Sequence, residues 1–194
     1  KTLNKAPRTR TQAKAATASR NKLVMKQTWQ QHHLATARFC AIRSEKDLYS
    51  AEKQLGFPYL LKPFTGAKSR FIIKITSPQQ ALSAYHFIIQ KLSTSSNKLF
   101  SHFSSSLSQP DEQTTLIAEE YLVGKQVTTT SFVTNTAVHH SALADIETAH
   151  DYHQPHFYLV TRTTPSQLPE SQQEQIKTFS SQSIHALGLT NTCL

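Results

Sequence analysis

Apolar residues recur along this chain with two alternating periods. From Asn21 to about Leu34, the positions Leu23, Val24, Trp29 and Leu34 keep helical spacing. A 3.6-residue period lays such side chains on one face, so the segment predicts an amphipathic helix. Ser44 then precedes EKDLYSAEKQL, where Leu48, Ala51 and Leu55 share a face. A serine accepts a first-turn N–H and a glycine tolerates the turn that ends a helix, so Ser44 and Gly56 bound the second helix. FPYLLKP (57–63) is a short apolar run opened and closed by proline, and it predicts a buried strand. FIIKI (71–75) predicts the next strand, reached through the polar turn TGAKSR (65–70). Ser77-Pro78 starts another helix, since proline at the first helical position has no amide to lose. Its expected inward stripe is Leu82, Tyr85, Ile89 and Leu92.

Residues 93–108 hold eight serines in sixteen positions and read as a mobile loop ending near Gln109-Pro110-Asp111. Beyond it, segments 114–122, 126–133, 136–144 and 156–162 are β-branched or aromatic, separated by VGK, Asn135 and DIETAHDYHQ, which reads as a loop. Successive strands of this kind suggest an antiparallel meander. Pro169 opens a last helix with Ile176, Phe179 and Ile184 facing inward, stopped by Gly188. The class is therefore α+β, with no repeats, heptads or glycine-rich dinucleotide fingerprint.

Composition narrows the picture. A chain of 194 residues, 38% hydrophobic and 17% charged, suits one globular domain or two small lobes. No run approaches the roughly 20 apolar residues of a membrane span, and KTLNKAPRTRT has no signal-peptide core, so no membrane partner is expected. Cys40 and Cys193 are the only cysteines and lack the paired spacing of a zinc site, which points to free thiols and a cytoplasmic setting. The net charge of +9 is unevenly placed. Residues 1–44 carry ten cations and no acid, while the rest carries eleven cations against twelve acids. The excess belongs to an Ala/Thr-rich lead-in, KTLNKAPRTRTQAKAATASR, with no aromatic residue before Trp29 to stack on a base. Nucleic acid is disfavoured as a partner on that ground, and a basic nucleic-acid-binding module stays as an alternative.

Two segments carry candidate chemistry. Lys62 lies in a strand between Leu61 and Pro63, where a buried ammonium must emerge at a polar site or meet an anion, because an unpaired buried charge costs too much. The turn that follows offers Gly66 for a tight bend and Ser69 with successive N–H groups to wrap a phosphate. The other reading of Lys62 is a snorkelling surface residue. The second segment is Glu119-Glu120-Tyr121-Leu122-Val123-Gly124-Lys125-Gln126. Two adjacent carboxylates after an apolar run cannot both face a core, so this strand end opens on a cleft or is a charged edge turn. A purine needs flat apolar walls, an acceptor for its exocyclic amine, a donor for a ring nitrogen and a polar group for the ribose, and this segment can supply them. His139-His140 and His150, His153 and His156 with Asp145, Glu147 and Asp151 have metal-ligand chemistry, but Pro155 and turn-like composition oppose a convergent helix, and the hydrated-loop reading is preferred. Arg162 reads equally as a surface arginine or a contact to phosphate or carboxylate.

In this order the motifs resemble the ATP-grasp superfamily. Arg20-Asn21-Lys22 is similar to the opening Asn/Asp-Lys of that region, LGFPYLLKPFTGAKS to its Lys-Pro and glycine–serine pattern, and LIAEEYLVGKQV to its Glu-Glu-Tyr element. PSQLPE and HALGLTNTCL resemble the approach to a late strand, so the likeness covers about residues 20–194. Carboxylate–amine ligases are the nearest type, with D-alanine ligases, carbamoyl phosphate synthase and biotin carboxylase as relatives. The resemblance implies an ATP-grasp fold of two lobes with antiparallel sheets enclosing the nucleotide, incomplete at the C-terminal end. It implies a basic lead-in over 1–19, a helical approach over 20–56, a small lid lobe over 57–122 and part of a large lobe over 123–194.

The resemblance also implies roles. Lys22 and Lys62 would bind nucleotide phosphates, with Ser69 and the loop from Gly66 closing over them. The carbonyl of Glu119 or Glu120 and the N–H of Leu122 would meet the adenine edge. Gln126 stands where a ribose-binding glutamate is usual, and Ala67 and Lys68 make the loop poorer in glycine than the family pattern. The implied cofactors are ATP and Mg2+, with the magnesium ligands expected beyond Leu194 and none assigned within the chain. The implied partners are a small carboxylate and an amine. The chain is expected to be a segment of such a ligase without turnover on its own, and a non-catalytic nucleotide-binding lobe is the other alternative.

Overall fold

A computed structural model describes residues 10–66, 69–93, 116–153 and 157–194. They form two compact units, each drawn from separate stretches of chain: residues 10–35, 127–144 and 164–194 make the first, and residues 36–126 and 145–163 the second. A strand and a helix before residue 56 join the sheet and core of the 57–122 segment. Most of the serine-rich stretch, from residue 94 onward, lies outside the described residues, as do Ala67, Lys68 and His156.

The second unit is built on a four-stranded antiparallel sheet. Its strands are β1 (Phe39–Ile42), β2 (Tyr59–Pro63), β3 (Ile73–Ile75) and β4 (Leu116–Glu120), in the spatial order β1-β4-β2-β3. Strand alternation sorts their side chains. Tyr59, Leu61, Leu116 and Ala118 point to one face and are wholly buried. There they pack with Leu48, Ala51 and Leu55 of α3 (Glu45–Leu55) and with Ala81, Ala84 and Ile88 of α4 (Pro78–Ser93). Leu60, Lys62, Ile117 and Glu119 belong to the opposite face. Ser44 starts α3 as expected, and the Asp47 carboxylate accepts from the Ser44 N–H at 2.8 Å and the Arg43 N–H at 2.8 Å.

Three local readings change. The buried stripe of α4 is Ala81, Ala84 and Ile88, whereas Leu82 is 42% exposed and Tyr85, Ile89 and Leu92 lie at the core margin. Small side chains let the helix approach the sheet closely, so the larger residues fall to its flanks. Strand β1 comes from FCAI, a run too short to mark itself in the sequence; it is paired to β4 with Cys40 opposite Ala118. The segment read as a loop, DIETAHDYHQ, supplies β8 (Ala144–Thr148), which pairs antiparallel with β9 (Leu159–Thr163) and leads into a 3-10 turn at Ala149–Tyr152.

In the first unit, α1 (Arg10–Arg20) precedes α2 (Lys22–Gln31), so part of the expected lead-in is helical. Its alanines explain this, since alanine has the highest helix propensity and needs no apolar stripe. Asn21 caps α2, accepting from Leu23 and Val24 N–H at 3.0 and 3.1 Å. Strands β6 (Ser131–Val133) and β7 (Val138–His140) form a hairpin, with β10 (Thr192–Cys193) on the other side of β6. Before them in the chain comes β5 (Gln126–Thr128), whose first residue belongs to the second unit, so the run 126–133 is two strands rather than one. The last helix, α5 (Glu170–Ala186), buries Ser183 and Ile184, while Ile176 is half-buried and Phe179 is exposed. Ala15, Val133, Ile184 and Leu189 make its small core. Among the described residues, no helix is long and apolar enough to cross a membrane.

Candidate functional site

The outward face of the second unit's sheet carries charge where its inward face is apolar. Lys62 lies opposite Ile117, and Glu119 lies opposite Leu60, so the two charged side chains are diagonal neighbours on one face. They form an ion pair, with 14% of the Lys62 and 11% of the Glu119 side chain exposed. Such a pair offsets the desolvation of both groups, and removing either would strand the other in a dry site. The anion expected beside Lys62 is therefore supplied, in this state, by the protein itself. An ammonium carries three N–H donors, so Lys62 can share itself between Glu119 and a ligand phosphate.

Glu120, one residue on, faces a different partner. Its carboxylate accepts from Arg38 Nε at 3.2 Å and Nη2 at 3.1 Å in a two-point pair, and Arg38 also donates to the Gln54 and Leu55 carbonyls. Hydrogen bonds from the guanidinium hold the Glu120 carboxyl below the usual carboxylate range. Arg38 therefore fastens the end of β4 to the end of α3. The chain then leaves the sheet through Tyr121 to Gln126. Leu122 and Val123 are exposed, and no hydrogen bond of the described residues engages Leu122. Lys125 pairs with Asp145 of β8 at 2.7 Å, which fixes the far end of the segment.

These elements enclose a cleft of about 380 Å³ within the second unit. Leu60, Ile72, Tyr121, Ile146, Phe157 and Leu159 give it apolar walls; Ser69, Glu119, Glu120, Gln126 and Thr148 give it polar ones. The pattern of flat apolar surface with a few convergent polar groups suits a planar heteroaromatic ring attached to a polar tail. Five of the residues singled out from sequence, Ser69, Glu119, Glu120, Leu122 and Gln126, line this one cleft, and Lys62 reaches it through Glu119. Gly66 takes φ 125°, a conformation that only glycine adopts easily, and Ser69 takes φ 52°. Lys22 is the first residue of α2 and belongs to the first unit. Arg162 is exposed on β9, opposite Ile146.

Sequence reasoning missed Arg38, Lys74, Tyr121 as a wall, His150 and Phe157. Lys74 stands alone in FIIKI as Lys62 does in FPYLLKP, so the argument applied to Lys62 would have flagged it. Its ammonium lies 4.0 Å from the Tyr121 ring centre and 3.4 Å from His150 Nε2. His150 stacks on Phe157, 4.6 Å between ring centres. The histidines do not converge: among the described residues, no group of three or more His, Cys, Asp or Glu is placed to hold a metal ion. His140 instead bridges Ser131 Oγ at 2.9 Å and Ser181 Oγ at 2.8 Å within the first unit.

Comparison with known proteins gives this cleft a context. No family model matches the chain. A D-alanine–D-alanine ligase of Bordetella avium is 28% identical over 180 residues, covering 90% of this chain and 50% of that protein. The crystal structure of an L-amino acid ligase from Bacillus licheniformis superposes with a TM-score of 0.68 at 18% identity, over 93% of this chain and 36% of the other. The VanG D-Ala:D-Ser ligase of Enterococcus faecalis gives 0.70 at 14% identity, over 91% and 47%. The chain has an ATP-grasp fold. Its mixed helices and antiparallel sheets match that fold over nearly the whole chain. The chain spans half the length, or less, of the curated relatives it matches.

Proposed function

We propose that this chain is the nucleotide-binding part of an ATP-dependent ligase that activates a carboxylate as an acyl phosphate for attack by an amine. The observation that carries the reading is a cleft within the second unit that joins apolar walls to Ser69, Glu119, Glu120, Leu122 and Gln126. In the reaction a carboxylate oxygen attacks the γ-phosphorus of ATP and ADP departs. The amine nitrogen then attacks the acyl carbon, phosphate departs, and the nitrogen loses a proton to solvent. The chain's share is to bind and orient the nucleotide, which is how proteins catalyse phosphoryl transfer.

Leu60, Ile72, Phe157 and Leu159 would hold the adenine between them. The carbonyl of Glu119 or Glu120 would accept from its exocyclic amine, and the Leu122 N–H would donate to a ring nitrogen. The Gln126 amide would take the ribose hydroxyls, a weaker contact than a carboxylate makes but one of the same geometry. Lys62 would move part of its charge from Glu119 onto a phosphate, Lys22 would bind another phosphate, and Ser69 with the 66–70 loop would close above them. In this reading residues 57–122 act as the lid lobe and 123–194 as part of the large lobe, after the 1–19 lead-in and the 20–56 approach. Magnesium, which the ATP-grasp resemblance implies, would neutralise phosphate charge; among the described residues no group of three or more His, Cys, Asp or Glu is placed to hold a metal ion.

Titration calorimetry with ATP and with GTP tests this. Tighter binding of ATP is expected, because the exchanged donor and acceptor of guanine mismatch the Glu120–Leu122 edge. Equal binding of both, or none, would remove the adenine reading.

A further inference from the structure

The Tyr121–Gln126 segment is exposed, yet under the reading above it must present an N–H and an amide to a purine with fixed geometry. Something has to hold its start. Tyr121 is the first residue past β4, and its ring is held by two side chains within the second unit, one of them backed by a third. Lys74 of β3 places its ammonium over the ring face, 4.0 Å from the centre. His150 meets the ring edge-on, 5.9 Å between centres at 80°. Phe157 stacks behind His150 at 4.6 Å and 23°. Lys74 and His150 close the group, with 3.4 Å between Nζ and Nε2. An ammonium can only donate, so the imidazole nitrogen facing it is the acceptor.

The register explains why Lys74 can reach. Leu60 pairs with Lys74 on one side and Glu119 on the other, so Lys74, Leu60 and Glu119 form one cross-strand row on the cleft face. Tyr121 follows Glu119 by two residues. From that row the long, half-buried Lys74 side chain reaches over the Tyr121 ring. No carboxylate among the described residues forms a salt bridge with Lys74, whereas Lys62 on the same face has Glu119. The Lys74 charge is satisfied by a ring face and an imidazole, both soft partners whose worth depends on their placement.

We infer that Lys74 is a positioning residue for nucleotide recognition: clamped between Tyr121 and His150, it fixes the Tyr121–Gln126 segment so that Leu122 and Gln126 face the cleft. The inference rests on the proposed nucleotide reading. It differs from the role of Lys62, because Lys74 acts on the base-recognising segment and not on phosphate. Loss of the clamp should therefore weaken adenosine and ATP by the same factor.

The test uses Lys74→Met, which keeps length and loses charge, and Lys74→Arg, whose guanidinium also stacks on a ring. Amide exchange is measured without ligand, and adenosine and ATP affinities are measured by calorimetry. For Lys74→Met, exchange at 122–126 should quicken and both ligands should weaken, each by about three- to tenfold, the range of a cation–π contact. Exchange in α3 and β1 should stay unchanged, which separates a local clamp from general loosening. Lys74→Arg should restore exchange and binding. Unchanged exchange at 122–126, failure of arginine to restore it, or a loss for ATP far exceeding that for adenosine would each overturn the inference, the last by making Lys74 a direct phosphate contact. If the unaltered chain binds neither ligand, the nucleotide reading fails on that result alone. The clamp is then judged on exchange: quicker exchange at 122–126 in Lys74→Met supports it, and no change sinks it.

Discussion

The second unit gathers twelve buried described residues in one core cluster, from Ile42 on β1 to Ala118 on β4, whereas the first unit's core cluster has four, Ala15, Val133, Ile184 and Leu189. Polar ties join the elements of the first unit. Trp29 Nε1 donates to the Ser183 carbonyl at 3.2 Å, joining α2 to α5, and His140 joins β7 to Ser131 and to Ser181 of α5. The difference teaches where precision is built. A sheet with one face packed against two helices can display Lys62, Glu119 and the 121–126 segment from its other face in a fixed geometry, since a close-packed core has low compressibility. Hydrogen bonds alone hold groups less firmly, because each contributes only about 1 kcal/mol net.

Leu61→Ala should break the second unit most severely. Leu61 is wholly buried, and leaving a cavity there costs about 2–5 kcal/mol. Leu189→Ala in the first unit, where few apolar neighbours surround the site, should fall at or below the bottom of that range. Chemical denaturation followed by probes in each unit measures both, and equal losses would erase the contrast.

The sequence made most of the second unit legible, because its helices have caps and its strands have proline borders. FPYLLKP became β2, LIAEE became β4, and Ser44 and Gly56 bound α3 as expected, as Asn21 opens α2 in the first unit. What stayed hidden had no local signature. Strand β1 is four residues whose pairing with β4 joins positions about 80 apart, and α1 is helical through alanine propensity without an amphipathic pattern. The α4 stripe was misjudged because packing distance favoured alanines over larger side chains. The same holds at the site. The need for an anion at Lys62 follows from burial alone, but that Glu119 supplies it depends on register. The Arg38–Glu120 pair and the Lys74, Tyr121, His150 and Phe157 group join elements that only the fold brings together.

Lys62→Met sharpens the contrast at the level of one pair. It takes from Glu119 its buried ammonium partner, so stability should fall by about 3 kcal/mol. Adding Glu119→Leu should recover much of the loss, as measured by a double-mutant cycle in denaturant. The ATP affinity of the folded double variant should drop more than its adenosine affinity. Full recovery of both would mean that Lys62 is structural only.

A smaller effect is expected from pH. Burial first, and the Lys177 charge second, hold the His140 imidazole below its ordinary 6.5. The folded state then binds a proton less readily than the unfolded one. Its contribution is complete above about pH 6.5 and is lost as pH falls toward the lowered folded value. Stability of the first unit should therefore decline modestly from about pH 7.5 to about pH 5.5, and His140→Gln should flatten that slope. An unchanged slope would show that His140 is not its source.

The central claim is that the second unit's cleft takes the nucleotide. Amide exchange with and without a non-hydrolysable ATP analogue, at a saturating concentration, tests it most directly. The account predicts strong protection at Leu122 to Gln126 and at Ser69 and Arg70, with little change at His32, His33 and Gln182 to Ala186 around the histidine-lined hollow of the first unit. Unchanged exchange at Ser69 and Leu122, or protection confined to that hollow, would contradict it.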